Sequence, residues 1–442
     1  MVRARRRAEL GLLLLAALIV TGAYALASLS RAAALPHDLG WFVGVVVGLF
    51  VVGHLAVRRL ASDADPLLLP LAGLLNGLGF VFIARMNADL AAAQALWSLV
   101  GMAGFVVTLG LIRRARSLES YRYSFAALGI GLLLLPSLPV IGREINGAQI
   151  WISVGPMSFQ PAEAAKLALA AFLAGYLVDK RELLALSSRR LGPLYLPDPR
   201  HLGPLLVAWG VSLLVMVNQK DLGSSLLFFT LFVVLVWVAT GRAAYLVLGG
   251  LLFGAGAFGA YQLFGHVRDR VSIWLDPWSV AKGAGYQVVE AAFAMADGGL
   301  TGTGLGLGNS GRIPARETDF IFAVVAEELG SVGATAVLLA YLLVIGCGLR
   351  IALQAEYPFE KLFATGLTTL LGFQAFVIIA GVTRVLPLTG VTLPFMSFGG
   401  SSLLANYVLI ALLVRISDET AKRRAVGRED PQRSVGVAEV SA

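Results

Sequence analysis

DFIFAVVAEELGSVGATAVLLAYLLVIGC, residues 319–347, decides the fold. Beyond Glu328 the stretch carries no charge, and its apolar run passes the ~18 residues that a bilayer core demands of a helix. Comparable runs recur near residues 10–28, 41–57, 67–84, 96–112, 123–141, 162–178, 203–217, 224–240, 243–264, 362–383 and 401–414, which makes twelve. Hydrophobic residues are 57% of the chain and charged ones 14%, a balance that no water-soluble core of this length requires. The expected fold is all-α, a polytopic transmembrane bundle of about twelve helices.

With the N-terminus inside, 24 of the 35 Lys/Arg fall in cytoplasmic segments, ten fall in outer ones and Lys166 lies within a span. The positive-inside rule then puts both termini in the cytoplasm and residues 265–317 outside. The net charge of +8 reflects that orientation and is no sign of nucleic-acid binding. Arg3, Arg5, Arg6 and Arg7 followed by an apolar run ending Ala25-Leu26-Ala27 resemble a signal peptide, but the run exceeds the usual ~15-residue limit, which favours a retained helix. From about Ser417 the chain is polar and charged and reads as a disordered cytoplasmic tail. One cysteine, Cys347, sits in an apolar run, and His37, His54, His201 and His266 lack metal-ligand spacing.

The informative charges lie where loops meet the membrane. Asp319 stands where a hydrophilic loop becomes an apolar helix, a place where desolvation raises a carboxyl pKa and makes a proton acceptor. Glu327 and Glu328 follow, roughly 12 Å along a helix from Asp319 at ~1.5 Å per residue, too far to share a substrate atom with it. The outer segment 265–317 opens with Arg268 and Arg270, continues through Trp274-Leu275-Asp276-Pro277-Trp278, and then places Val289, Ala292, Phe293 and Ala296 at the spacing of an amphipathic surface helix. GGLTGTGLGLGNSG, residues 298–311, looks like a phosphate loop only superficially; turns are its simple reading, with backbone N–H groups near a lipid diphosphate as the functional one.

In the smaller outer loop, Asn146-Gly147-Ala148-Gln149-Ile150-Trp151 leads to Gln160-Pro161, and Pro161 starts a helix on which Glu163 and Lys166 share a face. These two are as readily a self-neutralising ion pair as a functional one. Lys220 and Asp221 sit at a turn, where capping is the default. Pro387-Leu388-Thr389-Gly390 and Pro394-Phe395-Met396-Ser397-Phe398-Gly399-Gly400-Ser401-Ser402 bracket a loop that returns toward the bilayer, tolerable only against protein or a water-filled cavity.

Taken in order, NGAQIW, QPAEAAK, DLG, WLDPW, GYQ, GGLTGTGLG, ETDFIFAVVAEELG and PLTGVTLPFMSFGGSS resemble the SEDS family of bacterial cell-wall synthesis (RodA, FtsW, SpoVE), the RodA branch more than the FtsW branch, over residues 120 to 416. The resemblance implies a peptidoglycan glycosyltransferase of the bacterial plasma membrane, serving elongation and cell shape or division. It implies lipid II as substrate, polymerised on the outer face, a class B penicillin-binding protein as partner, and Asp319 as the essential aspartate. The family core has ten helices, so residues 1–62 form two additional ones, 63–416 the catalytic membrane domain and 417–442 the tail. Where the family has Pro-Glu-x-His-Thr-Asp, this chain has Pro314-Ala315-Arg316-Glu317-Thr318-Asp319. Ile150 and Ile378 replace a common arginine and asparagine, and Arg384 stands where glycine is usual.

Displacing a lipid diphosphate with a sugar hydroxyl needs a base near the acceptor, positive charge or a metal on the leaving group, and a groove for two lipid tails. Asp319 is the expected base. Lys166, Arg268, Arg270, Lys220 and Arg384 are the expected cations, and Glu163, Glu317, Ser401 and Ser402 complete the substrate-binding set. No cofactor is dictated; a divalent cation such as Mg2+ is the one candidate. A retaining mechanism needs two carboxylates ~5 Å apart, and Glu317, two positions from Asp319, does not face it on a helix, so single displacement with inversion is expected. The competing function is a lipid flippase whose Glu163, Lys166, Glu327 and Glu328 line a headgroup pathway. A partner's single membrane helix is expected to dock at Gly330, Gly333, Gly366 and Gly372.

Overall fold

Each of the twelve apolar runs contains a helix, although the run expected at 123–141 is α-helical only as far as Leu134. The computed structural model describes residues 2–429, apart from 33, 140, 146–147, 155–156, 186–188, 192–193, 197–198 and 220. In chain order the helices are α1 (Val2–Ala32), α2 (Leu39–Leu60), α3 (Leu68–Met86), α4 (Ala88–Leu111), α5 (Arg122–Leu134), α6 (Pro161–Ala185), α7 (Pro199–Asn218), α8 (Leu222–Thr240), α9 (Ala244–Leu263), α10 (Gly265–Leu275), α11 (Tyr286–Gly298), α12 (Ile321–Gln354), α13 (Pro358–Val382) and α14 (Gly400–Glu429). Ten of the described helices are long and apolar enough to cross a membrane, which makes this a multi-pass membrane protein.

Local chemistry sets the boundaries. Pro161 and Pro358 open α6 and α13, where the missing N–H costs nothing. Asp221 caps α8 by accepting the Ser224 N–H at 2.9 Å, and Asn87 caps α4. Helices α6, α13 and α14 form the buried centre, whereas α9 packs on α8 and α10 and leaves Leu251, Phe258 and Leu263 exposed as a lipid-type face. α1 lies against α3, where Val20 fills the notch above Gly77.

Four features depart from the sequence expectations. Residues 142–159 fold as an antiparallel meander of β1 (Gly142–Ile145), β2 (Ala148–Val154) and β3 (Met157–Phe159), and a second hairpin joins β4 (Arg189–Leu191) to β5 (Leu194–Leu196). α14 runs on to Glu429, so residues 417–429 are helix: Asp418 is buried, pairs with Lys422 and accepts the Asp63 N–H at 2.8 Å, and Arg423 pairs with Glu360. Residues 430–442 of the expected tail lie outside the described residues. α11 buries Val288, Val289, Ala291, Ala294 and Gly298, leaving Phe293 exposed and Ala292 only half-buried. The small residues allow α11 to press on α12, and Phe293 instead turns out to meet the edge of Trp278.

The fourth departure is a break in α12. Gly330 has φ 66° and ψ −171°, which ends the first helical segment. Across the break the Ser331 and Val332 N–H groups donate to Gly299 and Leu300 carbonyls, while the Glu327 and Glu328 carbonyls accept from Thr303 and Gly304. Two intrahelical bonds are thus exchanged for four with the glycine-rich loop.

Candidate active site

Asp319 sits one residue ahead of the N-cap of α12, half-buried beside the loop from α13 to α14. That loop is fixed to the segment carrying the aspartate: Ser397 Oγ donates to Thr318 O at 2.5 Å and the Phe398 N–H to Glu317 O at 2.8 Å. Leu393, Phe395, Met396 and Ser397 are buried, and Met396 backbone lies against Gly79 of α3, so the returning loop is covered by protein, as irregular backbone at this depth requires. Gly390, at φ +77°, stands between Asp319 and Arg270. A Cβ there would be 3.9 Å from Asp319 Oδ2 and 3.7 Å from an Arg270 guanidinium nitrogen. Arg270 projects from α10, and its Nη1 donates to Leu388 O at 2.9 Å. Two motifs distant in sequence therefore bring one acid and one cation to a shared spot.

Burial raises the Asp319 carboxyl to about 6; Arg270 and the Thr318 side chain pull in the other direction. Burial likewise lowers Arg270, opposed by Asp319 and Asp221. Asp221 is raised, first by burial and then by Glu163, while its bonds to Ser224 and the charge of Lys166 act the opposite way. Among the described residues Asp319 forms no ion pair, whereas Glu163 and Glu328 each pair with a basic side chain.

The remaining candidates divide. Arg270 joins Asp319, and Arg268 is exposed near the start of α10. Glu163 and Lys166 are buried and pair at 2.9 Å, and Lys166 Nζ also donates to Gln374 Oε1 at 2.8 Å. Ser402 belongs to the same buried network through Gln374 and Asn406, and Ser401 Oγ accepts the Gln160 N–H at 2.8 Å, so both hydroxyls tie helices together. Arg384 is engaged with Trp274: its Nη2 donates to Trp274 O and the indole N–H donates to Arg384 O. Glu317 pairs with Arg316 at 3.2 Å. Lys220 lies outside the described residues. Asp221, read from sequence only as a cap, proves to be an acid within the field of Arg270; its position after a turn in a DLG motif was the available signal.

Glu327 and Glu328 have another purpose, as their distance from Asp319 suggested. Glu327 Oε1 accepts the Asn309 N–H at 2.7 Å, Glu328 Oε2 accepts the Gly306 N–H at 2.9 Å, and Glu328 pairs with Arg85. The loop N–H groups considered for a lipid diphosphate are in this way directed at protein carboxylates. The glycines expected to receive a partner helix are also used internally: Gly366 faces Leu231 and Leu235, Gly372 faces Ile345, Gly333 abuts Leu329, and Gly330 meets Leu300 and Gly302.

The model of the FtsW/RodA/SpoVE cell cycle protein family matches residues 66–422. Peptidoglycan glycosyltransferase RodA of Mycobacterium tuberculosis (strain ATCC 25618 / H37Rv) is 46% identical over 424 residues, covering 93% of this chain and 90% of that protein. A chain from a peptidoglycan synthase complex that coordinates polymerization and crosslinking superposes with TM-score 0.67 at 28% identity, over 81% of this chain and 98% of the other. The rod shape determining protein RodA of Thermus thermophilus superposes with TM-score 0.57 at 28% identity, over 80% of this chain and 96% of its own. By sequence and fold together, the chain belongs to the FtsW/RodA/SpoVE family, nearer its RodA branch, and is a peptidoglycan glycosyltransferase.

Proposed function

We propose that the chain polymerises lipid II on the outer face of the bacterial plasma membrane, both termini being cytoplasmic, with Asp319 as the general base and Arg270 as the cation that meets the leaving diphosphate. The observation that carries the reading is the Asp319–Gly390–Arg270 arrangement: a half-buried acid outside any ion pair, with a guanidinium across a glycine that leaves room between them. Asp319 takes the proton of the acceptor sugar hydroxyl as its oxygen attacks the anomeric carbon, and the bond to the diphosphate breaks with its electron pair on phosphate oxygen. Glu317, held by Arg316, is a poor second carboxylate, which supports a single displacement with inversion.

Among the described residues no three His, Cys, Asp or Glu side chains gather as a metal cage. Asp221 is already engaged by Ser224 and Gln160, so a divalent cation such as Mg2+ would travel chiefly on the substrate's diphosphate. Similarity to a chain of a synthase complex supports a class B penicillin-binding protein as partner and a role in elongation and cell shape. Purified protein with labelled lipid II, its products separated by length, tests the reading: glycan chains support it, and lipid II moved across vesicles without polymerisation would return the flippase.

A further inference from the structure

Helix α1 precedes the region matched by the family model, yet its contacts lead to the catalytic segment. Ser30 Oγ donates to Leu305 O at 2.5 Å, and the buried Ala27 abuts Gly306. Gly306 has φ +80°, and a Cβ there would stand 2.7 Å from Ala27 O and 2.8 Å from Ser30 Oγ, so only glycine lets the loop come this close. The Gly306 N–H then donates to Glu328, on the segment of α12 that the Gly330 break separates from the rest of the helix. A helical segment cut off by such a break takes its direction from lateral contacts, and here the glycine-rich loop supplies several of them, beside those from Arg85, α11 and the loop at 393–398.

The other end of α1 is fastened as well. Arg5 donates to Asp63 O at 2.6 Å and Arg6 to Ala64 O, while Glu9 joins Arg6 to His54 of α2. The turn at residues 61–65 is in turn bound to Asp418 and Ser417 of α14.

We propose that α1 is a positioning strut for the catalytic segment: Ala27 and Ser30 hold Leu305–Gly306, which through Glu328 sets the direction of residues 319–329 and so aims Asp319 at Arg270 and Gly390. The strut acts through the loop and is a positioning element. It rests on Asp319 being the base.

The full-length purified protein is assayed for lipid II polymerisation against pH as Ser30→Ala, Ser30→Thr and Gly306→Ala. A Cβ at Gly306 forces loop and strut apart by roughly half an ångström, and misplacement of about 1 Å costs up to about 100-fold in rate. Gly306→Ala is expected to lower kcat about tenfold and Ser30→Ala about threefold, with KM within about twofold. The acidic limb moves below its wild-type position as Asp319 gains water, with Arg270 of α10, Asp221 at α8 and the neighbouring Arg316 and Glu317 unchanged in sequence. Ser30→Thr restores wild-type values. If Gly306→Ala does not fold, the exposed Ser30→Ala decides alone. Wild-type kcat and limb in Ser30→Ala overturn the strut, whereas activity retained by Asp319→Asn overturns the base assignment and the strut with it.

Discussion

Replacing Asp319 by asparagine removes a titratable group from a half-buried site while keeping its shape. The carboxyl titrates near 6 in the folded protein against 3.8 ordinarily. Because the folded value is the higher one, the folded state holds the proton more tightly. Stability is therefore lost as pH rises from about 4 through about 6, and the ionised acid costs at most about 3 kcal/mol at neutral pH, less after solvent screening. Asp319→Asn should accordingly melt higher than wild type at pH 7.5 and no higher at pH 4. Activity runs the other way. The base must be ionised, so the wild-type rate falls about tenfold per pH unit below 6, and loss of a general base costs about 100-fold to 10,000-fold, or roughly 3–5 kcal/mol of barrier. Thermal unfolding in detergent and a lipid II polymerisation profile from pH 5 to 8 measure both. More than a tenth of wild-type activity in Asp319→Asn, or a flat wild-type profile, refutes the reasoning.

Glu317→Gln, which loosens only the contact with Arg316, should lower polymerisation about fivefold or less, since a partly exposed pair of this kind is worth at most ~1 kcal/mol; a loss equal to that of Asp319→Asn would point to a second catalytic carboxylate. For the buried Glu163 and Lys166 pair, Lys166→Met alone strands a carboxylate and should cost about 3–5 kcal/mol, whereas Lys166→Met with Glu163→Leu should recover most of it. A stable double variant without activity would show that the pair does more than neutralise itself. EDTA should slow polymerisation, and added Mg2+ restore it, if the cation enters on the diphosphate; indifference to EDTA would leave the charge to Arg270.

The twelve apolar runs, the start of α6 at Pro161 and the capping of α8 by Asp221 were legible because each depends on residues close in sequence. Asp319 was legible for the same reason, as a charge at the entry of an apolar helix. The partners of the other charges were not. Glu328 finds Arg85 from α3 and Gly306 from the loop, and Arg384 finds Trp274, through pairings between segments that periodicity does not order. α11 shows the limit within a single helix: several faces carried apolar residues, and the one that is buried is the one whose small side chains let Gly298 lie on the α12 backbone. The α14 extension escaped notice because its charges read as solvated, whereas Asp418 and Arg423 have partners at Asp63 and Glu360.

These pairings also support the proposal of Asp319 as the base. Glu9, Glu163, Glu328, Glu360 and Asp418 each meet a basic side chain, which commits them to holding segments together. Asp319 feels Arg270 across Gly390 without joining it in a salt bridge. A closed pair would pull the carboxyl well below the ordinary range and make it a weak base; burial with no cation nearby would keep it protonated at neutral pH. Between these limits, a pKa of about 6 leaves about 90% of the acid ionised at pH 7 and still basic enough to take a proton from a sugar hydroxyl as it attacks. The glycine in the PLTG motif leaves open the space beside both groups. A side chain at Gly390 would enter the space shared by acid, cation and substrate, and its φ of +77° independently disfavours one.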